Sequence, residues 1–281
     1  MSKDSERARL DVRKTYKLYL GGAFPRSESG RSYPVRSSSG DLLAHAAQAS
    51  RKDVRDAVTA ARGAFGKWST GTAYNRGQVL YRVAEMMEGR AAEFAAQVPP
   101  AEVDAAIDRW VYYAGWADKY AQVVGSTNPV AGSYFSFTLP EPTGVVGVLA
   151  PQEPGLLGLV SVLAPVLTTG NTAVVVASQD QPLAAITLAE VLATSDVPGG
   201  VVNILTGFTA ELAPWLAGHR DVNAIDLTGA APGARADLQA TAAANVKRVY
   251  VPRSTDWKAD PGLSRLNAYV ETKTVWHPIG V

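Results

Sequence analysis

Side chains able to do covalent chemistry are few and scattered in this chain. It contains no cysteine, which removes disulfides, thiolate metal ligands and thiol nucleophiles together. Its three histidines, His45, His219 and His277, stand far apart with no carboxylate pair at ligand spacing beside them, so no metal site is expected. Ser161 and Ser178 lack the strand–turn–helix context of an activated serine. Neither a GxxxxGK(S/T) phosphate loop nor a GxGxxG follows a candidate strand. The 27 basic side chains nearly cancel the 26 acidic ones, which leaves no long-range attraction for nucleic acid or an anionic membrane.

The elements that would position any site are clearer. With 281 residues and 47% hydrophobic composition, the chain has material for one or two cored domains. Met1 to Lys14 alternates charges without an apolar stretch, so neither a secretory signal nor a transit peptide is expected, and the expected location is cytoplasmic. Gly144 to Leu167 approaches the hydropathy of a membrane span, but Glu153, three prolines and four glycines interrupt it. It reads as a buried strand–turn–helix unit.

Short strands are expected at Tyr16 to Gly22 and Asp41 to Ala47 around a loop at Ser27 to Gly30. Ser50 followed by Asp53 forms a capping box for a helix that places Val54, Val58, Ala61 and Phe65 on one face. Two longer amphipathic helices fit Asn75 to Val98 and Ala101 to Val124, with Trp68, Trp110, Tyr113 and Trp116 as packing residues. From Ser133 the period becomes two, which predicts a strand through Leu139 with a turn at Glu141 to Gly144. Strands near 144–150, 172–177, 201–205, 223–228 and 246–252 then alternate with helices near 156–168, 182–194, 209–218 and 233–244. Continuous apolar strands interleaved with helices imply an α/β fold, a doubly wound, Rossmann-like parallel sheet covered on both faces.

The order of motifs resembles the aldehyde dehydrogenase superfamily: YLGGAF at 19–24, AVTAARGAFGKWS at 57–69, PTGVVGVLAP at 142–151, TGNTAVVVASQDQPLAA at 169–185, VPGGVVNILTGF at 197–208 and HRDVNAIDLTGA at 219–230. YVETKTVWHPIG at 269–280 resembles that family's C-terminal oligomerisation strand. NVKRVYV at 245–251 begins where the family runs on into its catalytic domain, and here a short linker stands instead. The resemblance therefore divides the chain into a charged tail (1–15), N-terminal strands and helices (16–132), an oligomerisation strand (133–141), a Rossmann-like NAD-binding-type domain (142–252), a linker in place of the catalytic domain (253–266) and a C-terminal oligomerisation strand (267–281). It is closest in kind to the second half of the double-length members, family 16.

Family chemistry needs a thiolate nucleophile, a general-base carboxylate and an oxyanion donor. The resemblance implies that no catalytic residue is present. The thiol is missing, the domain carrying the base is replaced, and Glu153 stands where the family's oxyanion-binding asparagine would be. Cofactor contacts read as eroded at Val176, Gln179, Thr209 and Ala230, while Gly207, Thr228 and Gly229 are retained for backbone geometry. No cofactor is expected in this chain. The strands imply an interface at Tyr134, Phe135, Phe137, Tyr269, Thr272, Thr274, Val275 and Trp276. Together these expectations describe a pseudoenzyme, not an enzyme, forming a hetero-oligomer with a full-length aldehyde dehydrogenase that brings NAD. A nucleotide-sensing module and an aldehyde oxidoreductase of atypical mechanism are the other readings.

Overall fold

A computed structural model describes residues 12–252 and 256–280; the charged tail expected at 1–15 lies outside them except for its last four positions. The N-terminal part forms a small sheet of β1 (Thr15–Tyr16), β2 (Ser32–Arg36) and β3 (Leu42–Ala47), then α1 (Arg51–Thr70), α2 (Ala73–Glu88), α3 (Ala91–Ala95), α4 (Pro100–Trp116) and α5 (Tyr120–Val124). α1 starts at the expected capping box: the Asp53 carboxylate accepts from Ser50 N–H at 2.7 Å and the Ser50 hydroxyl accepts from Asp53 N–H. That carboxylate also accepts from the Ser27 hydroxyl and from Glu28 N–H, so one side chain caps the helix and pins the preceding loop.

The two long helices expected at Asn75 to Val98 and Ala101 to Val124 are each broken. α2 stops at Gly89, a residue with little helical preference, and Arg90 leaves helical geometry before α3. α4 ends at Trp116, and a turn at 117–119 redirects the chain. Buried Tyr120 then anchors α5 through its hydroxyl on Asn267 at 2.9 Å.

The remaining elements are β4 (Ser126–Asn128), β5 (Tyr134–Pro142), β6 (Val145–Leu149), α6 (Leu157–Thr168), β7 (Thr172–Val176), α7 (Pro182–Leu192), β8 (Val202–Leu205), α8 (Thr209–Gly218), β9 (Ala224–Asp226), α9 (Arg235–Ala243), β10 (Arg248–Tyr250), α10 (Ser264–Ala268) and β11 (Val270–Pro278). Five strands form one parallel sheet in the order β10-β9-β6-β7-β8. Alternate side chains serve opposite layers: Val146, Val148, Ala173 and Val175 pack under α2, α4, α6 and α7, whereas Val145, Leu149, Val174 and Val176 pack under α1, α8 and α9. Every residue of β6 and β7 is buried, as expected where parallel strands are covered on both faces. The apolar run at 144–167 is resolved accordingly: β6, a turn, and an α6 in which all residues are buried. Among the described residues no helix is long and apolar enough to cross a membrane.

A separate antiparallel sheet, β11-β5-β4, stands apart from the main one. It starts with β4, earlier than the strand expected at 133–141. β5 continues through Pro140 and Pro142 rather than turning at Glu141. Two prolines are tolerated because β4 reaches only Thr138; beyond it β5 pairs on one side, and a missing N–H can face outward. The 266/267 boundary expected for the linker cuts through α10.

Candidate functional site

Chain order fixes where a ligand site can form. From β6 the chain winds outward to β7 and β8, then returns on the other side of β6 as β9. Loops leaving neighbouring strands in opposite directions open a crevice at their C-terminal ends. A cavity of about 620 Å³ lies there. Pro151, Gln152 and Glu153 after β6, Gln179 after β7 and Thr228 to Pro232 after β9 form its floor; Thr209, Ala210, Ala213 and Pro214 of α8 and Leu238 of α9 form its walls. Trp257, from the segment after β10, also lines it.

Internal bonds set the floor. The Gln152 side-chain oxygen accepts from Gln179 N–H at 2.9 Å and from the Ser178 hydroxyl at 3.2 Å. Its amide nitrogen approaches the Thr209 hydroxyl at 3.5 Å. Gly229 N–H donates to Leu149 O at 2.8 Å. A Cβ on Gly229 would lie 2.0 Å from Ala150 O, so glycine is required here by strand packing whether or not a ligand binds.

The positions singled out by resemblance divide into two groups. Glu153, Gln179, Thr209, Gly229 and Ala230 line the crevice, as does Thr228. Val176 and Gly207 do not. Val176 is fully buried in the apolar layer beneath α1 and α8, and the alternation of Val174 and Val176 already carried that orientation. Gly207 sits at φ +140 against the backbone of Ala49, a turn position two residues before Thr209 and not itself in the lining.

Beside the crevice lies a buried polar cluster that local patterns did not reveal. Asp226, at the end of β9, has no exposed side-chain surface and pairs with the guanidinium of Arg265 on α10. The Tyr269 hydroxyl donates to the same carboxylate at 2.6 Å, Thr228 N–H donates to it at 2.8 Å, and Arg265 also donates to the Thr228 hydroxyl at 3.0 Å. Burial works against the Arg265 charge more than any one neighbour favours it, but Asp226 together with Tyr269, Tyr250 and Tyr113 outweighs it and raises the guanidinium pKa above its ordinary value. Burial, reinforced by Asp226, pushes the Tyr269 phenol well up. Tyr269 is therefore a core residue, not the interface residue expected from its place in the C-terminal motif.

Further anchors hold the segment after β10. Arg109 on α4 donates to Trp257 O at 2.8 Å, and the Tyr112 hydroxyl donates to Asp260 at 3.0 Å. Glu102, also on α4, accepts from Leu156 and Leu157 N–H at 2.7 and 3.0 Å, which caps the start of α6. The linker expected at 253–266 is thus fastened at Trp257, Asp260 and Arg265; Arg253 to Thr255 lie outside the described residues.

The aldehyde dehydrogenase family model matches residues 24–252. This chain belongs to the aldehyde dehydrogenase family. It is 34% identical over 249 residues to the putative aldehyde dehydrogenase DhaS of Bacillus subtilis, covering 84% of this chain and 50% of that protein. It is 35% identical over 246 residues to aldehyde dehydrogenase family 2 member B4, mitochondrial, of Arabidopsis thaliana, covering 83% and 45%. A solved NAD-dependent aldehyde dehydrogenase from Sinorhizobium meliloti superposes with a TM-score of 0.80 at 28% identity, covering 89% of this chain and 52% of that one. The chain spans about half the length of the curated relatives it matches.

One expectation is overturned by these similarities. The chain was expected to be a pseudoenzyme, not an enzyme; relatives at 34–35% identity are named aldehyde dehydrogenases, and no described feature demonstrates that activity has been lost.

The antiparallel sheet distributes the remaining expected interface residues over two faces. Opposed pairs in the β5–β11 register share a face. Phe135, Phe137, Leu139 and Val275 lie on one, with Phe135 and Phe137 ring centroids 5.5 Å apart. Tyr134, Thr272, Thr274 and Trp276 lie on the other, with Tyr134 and Trp276 at 5.8 Å. Among the described residues the outer edge of β11 pairs with no strand. No group of three or more metal-ligating side chains occurs among the described residues.

Proposed function

We propose that this chain works as a subunit of an aldehyde-oxidising assembly, adding its β11 edge to the catalytic-domain sheet of a full-length aldehyde dehydrogenase. The observation carrying this reading is a nine-residue edge strand with one open side, flanked by the exposed aromatics Tyr134, Phe135 and Trp276. An open edge of this length is a template for strand addition. Family membership supplies the partner's chemistry, since the relatives are named aldehyde dehydrogenases and this chain spans about half their length.

Co-expression with a full-length family member, followed by light scattering on the purified complex, tests the reading. A stable hetero-oligomer is expected. Because consecutive residues in a strand aim their N–H groups to opposite sides, one of Thr274→Pro and Val275→Pro removes an outward donor, and it should dissociate the complex while leaving the melting temperature of the isolated chain nearly unchanged. A chain that stays monomeric beside every such partner, or a complex indifferent to both prolines and to Trp276→Glu, overturns it.

A further inference from the structure

Two bonds fix which way the backbone of β11 faces. Thr143 N–H donates to Tyr269 O at 3.2 Å and Ile279 N–H donates to Ser133 O at 3.0 Å, so Tyr269 and Ile279 turn their backbone polar groups toward β5. The register between them is unbroken, and along a strand the direction alternates. Glu271, Lys273, Val275 and His277 therefore bond to β5, while Val270, Thr272, Thr274 and Trp276 aim their N–H and C=O groups outward. Pro278 also falls on the outward side, where its missing N–H costs no bond to β5.

An outward row of this kind selects its occupant by what stands opposite each side chain. For a second copy related by a two-fold axis the strands run antiparallel, and directly opposed residues share a face. With the axis at Thr274, every residue of Val270–Pro278 finds a counterpart. Glu271 then stands opposite the second copy's His277, Thr272 opposite its Trp276, Lys273 opposite its Val275 and Val270 opposite its Pro278. The two Thr274 hydroxyls meet at the axis. Each already lies 3.1 Å from the Thr138 hydroxyl, which accepts from the Asn128 amide at 2.8 Å, so a chain of polar side chains crosses the new seam. Lys273, the charge that would oppose edge pairing, is held by Glu141 at 2.7 Å. Other placements of the axis do worse. At Lys273 two ammonium groups face each other, at Val275 Lys273 faces His277, and at Thr272 or Trp276 one end of β11 stays unpaired.

We propose that, without a dehydrogenase partner, two copies of this chain join their β11 edges antiparallel about a two-fold axis at Thr274, making one six-stranded sheet that masks the docking edge until the partner displaces it. This rests on the reading of β11 as a strand-adding edge and supplies the regulation of that edge. A contact made along one strand edge buries little area, so the homodimer is weak and exchangeable.

Sedimentation equilibrium on the isolated chain from about 1 to 500 µM should show a monomer–dimer equilibrium with a Kd of about 10–100 µM. His277 is exposed; His277→Glu sets like charges opposite one another at two symmetric places and should weaken the dimer about fivefold or more, whereas His277→Lys should keep or tighten it. Because the chain has no cysteine, one introduced thiol reports the register. Thr274→Cys brings two Cα atoms to about 5.5 Å, within disulfide reach, and should link under mild oxidation; Thr272→Cys leaves them more than about 12 Å apart and should not. A chain monomeric at about 500 µM, a dimer indifferent to His277→Glu, or Thr274→Cys linking no faster than Thr272→Cys overturns the self-pairing. The linked Thr274→Cys dimer should bind no full-length dehydrogenase until reduced, and binding by the linked form overturns the masking. A chain that is monomeric alone yet binds the dehydrogenase removes self-pairing and leaves assembly standing; a homodimer that no dehydrogenase displaces removes assembly, and the masking with it.

Discussion

Leu149 on β6 and Leu139 on β5 are the same side chain on strands consecutive in the chain but in different sheets, yet the first has no exposed surface and the second is 44% exposed. The contrast extends to the sheets that hold them. The parallel sheet is closed, with helices over both faces and β6 and β7 wholly buried. The β4–β5–β11 ribbon leaves apolar and aromatic side chains on both faces and one long edge open. Large apolar residues gathered on this exposed ribbon are the feature on which the proposed contact with a partner rests.

The strongest link between the two regions is the Asp226 cluster, because Arg265 and Tyr269 lie on the segment that leads into β11. Asp226→Ala leaves the Arg265 charge buried without its counter-ion and the Tyr269 hydroxyl without its acceptor. A loss of about 3–5 kcal/mol is expected from urea denaturation, with the ribbon region gaining the most hydrogen exchange. A loss below about 1 kcal/mol would show that the ribbon is held by other contacts.

The paired leucines give the next largest effect. Leu149→Ala should cost about 3 kcal/mol through a cavity the sheet cannot collapse. Leu139→Ala should cost less than about 0.5 kcal/mol in the isolated chain and show its effect in the assembled state. Equal costs from two parallel melts would erase the distinction between regions.

The two regions also differ in how far the sequence foretells them. The parallel sheet is legible because strands buried on both faces read as unbroken apolar runs between helical segments, and Ser50 with Asp53 announces the start of α1. The crevice is legible as a consequence of strand order once the motifs are aligned. Pairings at a distance are not: Glu102 caps a helix that starts at Leu157, and Asp226 meets Arg265 across two intervening elements, with no local pattern linking either pair. Pro140 and Pro142 signal a turn until the one-sided pairing of β5 removes the objection. Trp257, a large aromatic in an otherwise polar segment, packs partly buried against the core, a signal that the sequence analysis left unused.

Lys247 tests the rim of the closed region. It is buried immediately before β10 with its ammonium on the Asn245 side chain at 2.6 Å, and burial lowers its pKa from 10.5 to about 8. Between those values the unfolded chain holds more protons than the folded one, so stability rises as pH climbs from about 8 toward 10.5. Below that window both states are protonated and the folded state bears the full desolvation of the charge. Lys247→Met should therefore stabilise the chain at pH 7 by about 1–2 kcal/mol, after allowance for residual solvent access, and flatten the alkaline slope. A variant with the same slope would assign it elsewhere.

The smallest expected effect is at the seam between the sheets. Arg248 on β10 and Glu271 on β11 form two hydrogen bonds of 2.6 Å each, and the hydrogen-bonded partner, more than the offsetting burial, draws the Glu271 pKa down. Both side chains are well exposed, at 42% and 51%, so water and salt screen most of that attraction. A double-mutant cycle with Arg248→Ala and Glu271→Ala should give a coupling of less than about 1 kcal/mol, falling further as ionic strength rises. A salt-insensitive coupling above about 2 kcal/mol would make this pair part of the closed region, and the ribbon would then be a continuation of β10 rather than an edge held out for a partner.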